Sequence, residues 1–455
     1  MPKPKIAAIL LMGGISVRFK SSLPKQLHKI GGKPIFIHTL ERFLKMEEIS
    51  QIILPIPKEW EPEISKELAS IETTKKIKII HGGSQRQESS YLGLLACDTD
   101  TDYVIIHDAV RPFVSVEILK QNIEAVIEHK AVDTCIPSTD TLIRFKEHSF
   151  IEEIPPREEF LRGQTPQTFS FSLILKAHKK ATEDGVTNSS DDCKLILRLN
   201  HPVKIVEGSE LNIKITTELD LFLAERLLSR AFEEPTSFME EENSSLEGKT
   251  FAVTGATGDI GKAICKRLLE LGAMAIPISK SAEGFPVDLT KHKETKAVFE
   301  AIYIKHGPLD GIINSIGTFS TKEFTTLSQE EIDQTISSNL TSIIYCCQAI
   351  RLKKGAHIIN ISSSSYSKGR KEYPIYSASK AAVVNFTQGL AEAMPDHFVN
   401  VVVPQRTNST LRKNNFPEEE VSSLIEPTEI AEKITKLLSY PHLTGTIIEV
   451  RKKHT

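Results

Sequence analysis

Apolar residues are grouped along this chain in short runs that end in glycine or in a charged tip. That is the pattern of buried parallel strands feeding loops, and not of half-exposed hairpins. Lys5-Ile-Ala-Ala-Ile-Leu-Leu11 runs into Met12-Gly13-Gly14. Ile77-Lys-Ile-Ile80 precedes His81-Gly82-Gly83-Ser84-Gln85-Arg86-Gln87-Glu88-Ser89, and Val104-Ile-Ile-His107 ends at Asp108. A second series starts with the strand Gly248–Thr254, turns through Gly255-Ala-Thr-Gly258-Asp-Ile-Gly261, and enters a helix over Lys262–Leu271 that stops at Gly272. Further strands are expected at Met274–Ser279 and Ala356–Asn360, and a helix opens at Tyr376. The predicted fold is α/β: two domains, each a Rossmann-like, mostly parallel sheet flanked by helices.

Between the two series, Phe232–Glu247 is acidic, carries a proline and has no hydrophobic period. Such a segment buries too little apolar surface to offset its ordering entropy and reads as a tether. The expected division is 1–230, a linker at 231–247, and 248–455. A chain of 455 residues agrees with that, since domains run to roughly 100–200 residues.

Composition removes several function classes. With 40% hydrophobic and 25% charged residues and a net charge of −3, the chain has no footprint for nucleic acid or an anionic membrane. Ile6–Met12 is far too short to span a bilayer, and no secretory leader is evident. Six scattered cysteines without a Cys-x-x-Cys pair fit a reducing cytoplasm and not a thiolate metal site.

In the first half, Gly13-Gly14 followed by Arg18 and Lys25 suits a polyphosphate, with backbone N–H groups approaching closely and two cations adding charge. The tips at Gly83 and Asp108, with Lys214 in Gly208–Thr216, lie where open α/β sheets bind ligands. Taken with Thr165-Pro166-Gln167-Thr-Phe169, these segments resemble the cytidylyltransferases of the 2-C-methylerythritol 4-phosphate and ribitol 5-phosphate type. The resemblance implies that CTP and an alditol phosphate give a CDP-alditol and pyrophosphate. It implies that Gly14, Arg18 and Lys25 hold the triphosphate, and that Gly83, Ser84 and Ser89 meet cytosine and ribose. Asp108 would serve the ribose and Mg²⁺, and Thr141, Arg157 and Lys214 the acceptor phosphate or transition state. The stretch 137–163 would be an arm exchanged within a homodimer, with Arg157 working across it. Met12-Gly13 and Ser16 depart from the family's loop. Two plainer readings stand beside these roles: Asp108 as a helix N-cap, and Lys214 as a solvated lysine at a strand edge.

In the second half, the strand–glycine turn–helix order points to a dinucleotide. Ser279-Lys280 stands where an acid would hold the ribose of NAD, which favours NADP(H), and Asp288 is placed to cap the adenine. Tyr376 and Lys380, four apart, share a helix face, so the ammonium is expected to lower the phenol pKa for proton transfer. Ser363 would hydrogen-bond the reacting carbonyl and Asn339 hold a relay water. This half resembles the short-chain dehydrogenase/reductase family. The resemblance implies Ser363, Tyr376, Lys380 and Asn339 as the catalytic set. The implied cofactor set is Gly255, Gly258, Ile260, Gly261, Ser279, Lys280, Asp288 and Asn314, with Tyr376 and Lys380. Asn314-Ser-Ile-Gly317 and Val403-Pro404-Gln405-Arg406-Thr407 depart from the usual motifs. Arg406 and Arg412 either bind a substrate phosphate or are solvent-exposed in a mobile loop. Little room for a helix follows Lys280, leaving the adenine side open, and Cys346-Cys347 is expected to pack in a helix core.

Together the halves resemble the bifunctional ribulose 5-phosphate reductase/CDP-ribitol pyrophosphorylases. The implied route uses NADPH to reduce a pentulose phosphate to a pentitol phosphate, then CTP and Mg²⁺ to make CDP-ribitol for a surface polymer. The partners are therefore small molecules, with no nucleic acid and no membrane. Alternatives remain open: CDP-xylitol or CDP-arabinitol, a methylerythritol 4-phosphate cytidylyltransferase fused to an unrelated reductase, or one module kept only as a dimerisation body.

Overall fold

The computed structural model describes residues 3–13, 23–146, 150–233, 245–440 and 442–452. The chain divides into two compact units, Met1–Leu227 and Leu228–Thr455. The first residues of the expected linker, 231–233, are helical. A helix, Glu218–Glu233, runs into it, Leu246 is buried near its far end, and 234–244 lie outside the described residues.

The strands of the first unit are β1 (Ile6–Leu11), β2 (Lys29–Ile30), β3 (Lys33–Pro34), β4 (Ile49–Ile56), β5 (Lys76–His81), β6 (Tyr103–Asp108), β7 (Ala131–Pro137), β8 (Arg144–Lys146), β9 (Phe150–Glu153), β10 (Leu161–Ser170) and β11 (Lys204–Glu207). Seven of them form one sheet in the order β11-β7-β10-β6-β1-β4-β5, in which β10 alone runs antiparallel to its neighbours. Every residue of β1 is buried because the sheet is covered on both faces. Ile6, Ala8 and Leu10 pack into one core and Ala7, Ile9 and Leu11 into the other, the period-two alternation of a central strand. Gly93 lets the helix Arg86–Ala96 lie against this sheet, since a Cβ there would come 2.7 Å from Ile9 Cγ2. Within the expected arm, β8 and β9 pair as a hairpin whose apolar side chains Phe145, Phe150 and Ile151 are exposed.

The second unit contributes β12 (Thr250–Thr254), β13 (Met274–Ile278), β14 (Leu309–Asn314), β15 (Leu352–Ile361), β16 (Phe398–Pro404) and β17 (Ile447–Val450). These form one wholly parallel sheet, β13-β12-β14-β15-β16-β17. The order reverses between β12 and β14, and ligands bind at such switch points, outside the carboxyl ends of the strands. After β13 the chain makes one bridge, Ser279 to Pro286, and its next helix begins only at His292, so the connection after Lys280 is a loop without a helix of its own. Cys346 and Cys347 are buried in the helix Ser342–Ala349 and join the core. Among the described residues no helix is long and apolar enough to cross a membrane.

Candidate active sites

In the first unit the carboxyl ends of β1 and β6 open into a cavity of about 230 Å³ lined by Met12, Gly13, Lys25, Gln26, Arg86, Ser89, Asp108 and Lys214. Asp108 ends β6 and is buried. It is not a helix N-cap; the following helix, Val116–His129, is capped by Ser115. Its Oδ2 lies 2.9 Å from Lys214 Nζ and 3.3 Å from Arg111 Nε, while Oδ1 has Arg86 Nε at 4.0 Å. Burial by itself would raise the carboxyl's pKa; Lys214, Arg86 and Arg111 override that and hold it well below the usual carboxylate range. Lys214 is therefore no solvated edge lysine: it reaches into the cavity and pairs with Asp108.

Ser89 carries the loop geometry. Its Oγ accepts from Gly83 N at 3.1 Å and sits 3.2 Å from where a Cβ on Gly13 would be. Ser84 turns outward, donating from its backbone and hydroxyl to Glu88 Oε2 at 2.7 and 2.9 Å. Thr141 and Arg157 lie on the exposed arm, away from the cavity lining, where Arg157 donates to Thr139 O at 3.3 Å. Gly14 and Arg18 lie outside the described residues. Arg86 was not expected here. It spans the cavity floor between Asp108 and the buried Asp192, 2.6 Å away. The signal was a cation opening a helix directly after Gly82-Gly83-Ser84-Gln85, where the helix dipole disfavours it unless an acid answers it. Among the described residues no group of three His, Cys, Asp or Glu could hold a metal. A Mg²⁺ that brings most of its ligands from a triphosphate fits nonetheless, because it needs only one or two protein carboxylates and Asp108 lines the cavity.

In the second unit, Gly255 takes a φ of +65° at the end of β12, and Gly258 caps the helix Asp259–Glu270. A Cβ on Gly261 would stand 2.3 Å from the carbonyl oxygen of Gly255. The turn is thus closed onto its helix with room for backbone only, a cradle that suits a pyrophosphate at the helix N-terminus. At the next strand end, Lys280 Nζ pairs with Asp288 Oδ2 at 3.0 Å, and Ser279 Oγ accepts from Thr257 Oγ1 at 3.1 Å. Asn314 does not present its side chain to a ligand. It is buried between strands, accepting from Thr254 Oγ1 at 3.2 Å and donating to Asn360 Oδ1 at 2.8 Å, and so sets the spacing of the strand ends.

A second cavity of about 150 Å³ brings Ile260, Gly317, Phe319, Ser363, Tyr376, Lys380, Arg406 and Arg412 together. Tyr376 and Lys380 lie on the helix Pro374–Ala393, with Lys380 Nζ 5.9 Å from the phenol ring centroid and donating to Ile361 O at 3.0 Å. The expected lowering of the phenol pKa by the ammonium is not found. Burial pushes Tyr376 up to about 12, with Ser363 pulling the other way, and burial pushes Lys380 down to about 8. Desolvation dominates both shifts because both groups are enclosed. Asn339 sits in a π-helical turn, Ser337–Thr341, a feature common at functional sites. Its amide donates to Thr318 O and Ser379 Oγ, each at 3.1 Å, and accepts from Thr318 N at 2.7 Å, so it fixes the loop roofing Lys380. Glu419, which no sequence pattern singled out, pairs with both Arg406 and Arg412.

Residues 6–230 match the family described as 2-C-methyl-D-erythritol 4-phosphate cytidylyltransferase, and residues 275–420 the short chain dehydrogenase family. Fold and sites together define a two-headed enzyme, a cytidylyltransferase followed by a short-chain dehydrogenase/reductase. A curated protein of Haemophilus influenzae, the bifunctional ribulose 5-phosphate reductase/CDP-ribitol pyrophosphorylase Bcs1, is 33% identical over 466 residues, covering 99% of this chain and 96% of its own. The chain belongs to that bifunctional family. Among solved structures, the 4-diphosphocytidyl-2C-methyl-D-erythritol synthase of Anaerococcus prevotii is 31% identical, covers 50% of this chain and 97% of its own, and has a TM-score of 0.45. A short chain dehydrogenase of Burkholderia cenocepacia in complex with NADP is 24% identical, covers 46% and 98%, and has a TM-score of 0.42.

Proposed function

We propose that this enzyme reduces D-ribulose 5-phosphate to D-ribitol 5-phosphate with NADPH, and then joins that product to CTP as CDP-ribitol with release of pyrophosphate. The observation that carries the reading is the pairing of sites on one chain. A carbonyl-reducing pocket is rimmed by two arginines suited to an anionic substrate, and a cation-lined cavity is suited to a triphosphate. The named activity of the Haemophilus relative, over nearly the whole chain, supports the choice of pentulose.

In the reductase, bound NADPH supplies a hydride to the carbonyl carbon. Tyr376 donates its hydroxyl proton to the carbonyl oxygen as that bond forms, and its high pKa keeps the proton in place at neutral pH. Ser363 orients the same oxygen, Lys380 and Asn339 hold the surrounding loop, and Lys280 with Ser279 accepts the 2′-phosphate once Lys280 leaves Asp288. In the transferase, an acceptor phosphate oxygen attacks the α-phosphorus in line, the bond to the bridging oxygen breaks, and pyrophosphate leaves. Lys25, Lys214 and Arg86, with Arg18 and the loop at Gly14, neutralise the developing charge, and positioning does the rest. Asp108 would hold Mg²⁺ against the phosphates, Gly83, Ser84 and Ser89 the nucleoside, and Thr141 and Arg157 the acceptor. The exposed apolar hairpin fits a homodimer in which an arm reaches the partner. We place the enzyme in the cytoplasm, where its cofactor and pentulose phosphates are.

The test is one assay of the full-length protein with D-ribulose 5-phosphate, NADPH, CTP and Mg²⁺, with D-xylulose 5-phosphate in parallel. Pyrophosphate release that requires both NADPH and the ribulose ester is the expected result. No oxidation of NADPH by either pentulose phosphate would overturn the reading, as would pyrophosphate release that needs neither reductant nor sugar.

A further inference from the structure

Two arginines that line the reductase pocket, Arg406 and Arg412, are already paired with an anion of this chain, Glu419. Arg412 Nε lies 2.6 Å from Glu419 Oε2 and its Nη2 3.0 Å from Oε1, a two-point fork, and Arg406 Nη1 reaches the same Oε1 at 2.8 Å. The Arg412 guanidinium is stacked 3.8 Å from the centroid of Phe416, so the fork is held by packing as well as by charge. Glu419 and Arg412 are only 13% and 15% exposed, so the pair is largely withdrawn from water although Arg412 lines the cavity. Two guanidinium groups converging on one pair of oxygens is the arrangement by which phosphates are recognised.

The charge count points the same way. Two arginines against one carboxylate leave a net positive site, whereas a phosphate monoester carries about −1.5 to −2 at neutral pH and would balance both. Carboxylate and phosphate cannot occupy the same forks together, because they would stand as like charges in a poorly solvated place. The loop that carries all three residues is tied at its base. Thr407 bridges Ile425, and Ile425 N donates to Arg406 O at 2.9 Å. Thr410 N is pinned to Asp259 Oδ2 at 2.7 Å. Glu419 lies between these ties, in the span from Thr410 to Ile425, so its side chain can turn away while the tied residues hold the loop's base in place.

We infer that Arg406 and Arg412 form a phosphate-binding site in the reductase pocket, and that Glu419 is a built-in occupant which the substrate's phosphate must displace. The site selects a phosphorylated keto-sugar over the free sugar, because only the ester can replace the carboxylate. This rests on the reductase reading above for the identity of the sugar, though not for the presence of the anion site.

The test uses the full-length protein and its Glu419→Gln variant. Calorimetric titration with inorganic phosphate should show tighter binding to the variant by about tenfold, the scale of one charge-assisted contact. Phosphate bound in the transferase half is common to both proteins and cancels in the comparison. The KM for the pentulose phosphate should fall by a similar factor, while that for the unphosphorylated pentulose should not. Arg412→Ala in the Glu419→Gln background should remove the gain. Equal phosphate affinity in wild type and Glu419→Gln overturns the inference whatever the sugar. Tighter phosphate binding with no turnover of any pentulose phosphate would instead sink the substrate reading and leave this site standing. If Glu419→Gln does not fold, the exposed Arg406 provides the second test: Arg406→Gln should raise the KM for the phosphorylated substrate alone, and an equal effect on both sugars overturns the inference.

Discussion

Replacing Arg86 with methionine separates what this side chain does for the fold from what it does for the cavity. Arg86 Nη1 donates to Asp192 Oδ2 at 2.6 Å, and Asp192 is only 1% exposed. The other carboxylate oxygen takes His178 Nε2 at 3.0 Å and Ser90 Oγ at 2.9 Å. Burial alone would raise the Asp192 pKa; Arg86, then His178 and Ser90, hold it well below the carboxylate range. Without Arg86 that carboxylate is left buried beside a histidine and a hydroxyl. Breaking a buried pair from one side costs about 3–5 kcal/mol, and the partial exposure of Arg86 argues for the lower end. In a domain of this size each kcal/mol moves Tm by about 2–4 °C, so a fall of about 6–12 °C is expected.

The single tryptophan, Trp60, packs against the core of the first unit, so its fluorescence in urea reports that unit alone. Arg86→Met should lower the unfolding midpoint, and adding Asp192→Asn should recover at least half of the loss because no charge is then stranded. Pyrophosphate release should stay depressed in the double variant, since Asp108 and the triphosphate still lack their cation. If the double variant regains both stability and pyrophosphate release, Arg86 is structural only. An unchanged midpoint in Arg86→Met would show that the buried-pair reasoning itself is wrong.

Four further outcomes follow from the same geometry. Tyr376→Phe should cut NADPH oxidation by about 10²–10⁴ while leaving pyrophosphate release from supplied ribitol 5-phosphate intact, as separate assays of the two steps would reveal. The kcat/KM for reduction should decline above a pH of about 8, where Lys380 loses its charge while Tyr376, pushed up to about 12, still carries its proton. A pH profile flat to 10 would contradict the assignment. Gly261→Ala should weaken NADPH binding at least about tenfold in a fluorescence titration, because its Cβ would meet the Gly255 carbonyl at 2.3 Å and push the turn off its helix. Lys25→Ala should reduce pyrophosphate release by about 10²-fold, the scale of one lost transition-state contact, with NADPH oxidation unaffected.

What could be read from the sequence was what local rules determine. Apolar runs ending in glycine or in an acid marked β1, β6 and β12, because a strand buried on both faces and a tip that must approach phosphate each leave a compositional trace, whereas β5, at the sheet edge, is only partly buried. Tyr376 and Lys380 were found by helical spacing, but the sign of their pKa shifts was not, because spacing fixes proximity whereas enclosure by distant loops fixes desolvation. Arg86 could have been suspected from its place at a helix start, yet its partner Asp192 is more than a hundred residues away and nothing local links them. Glu419 is the limiting case. It is the middle of Glu418-Glu419-Glu420, three identical acids on an exposed-looking loop, and no periodicity distinguishes the one that turns inward. That choice is made by the bridge of Thr407 to Ile425 and the stacking of Arg412 on Phe416, which together set how the intervening loop folds back. Specificity-bearing contacts of this kind form between loop residues whose positions are set by the sheet beneath them, so they emerge only once the sheet is built.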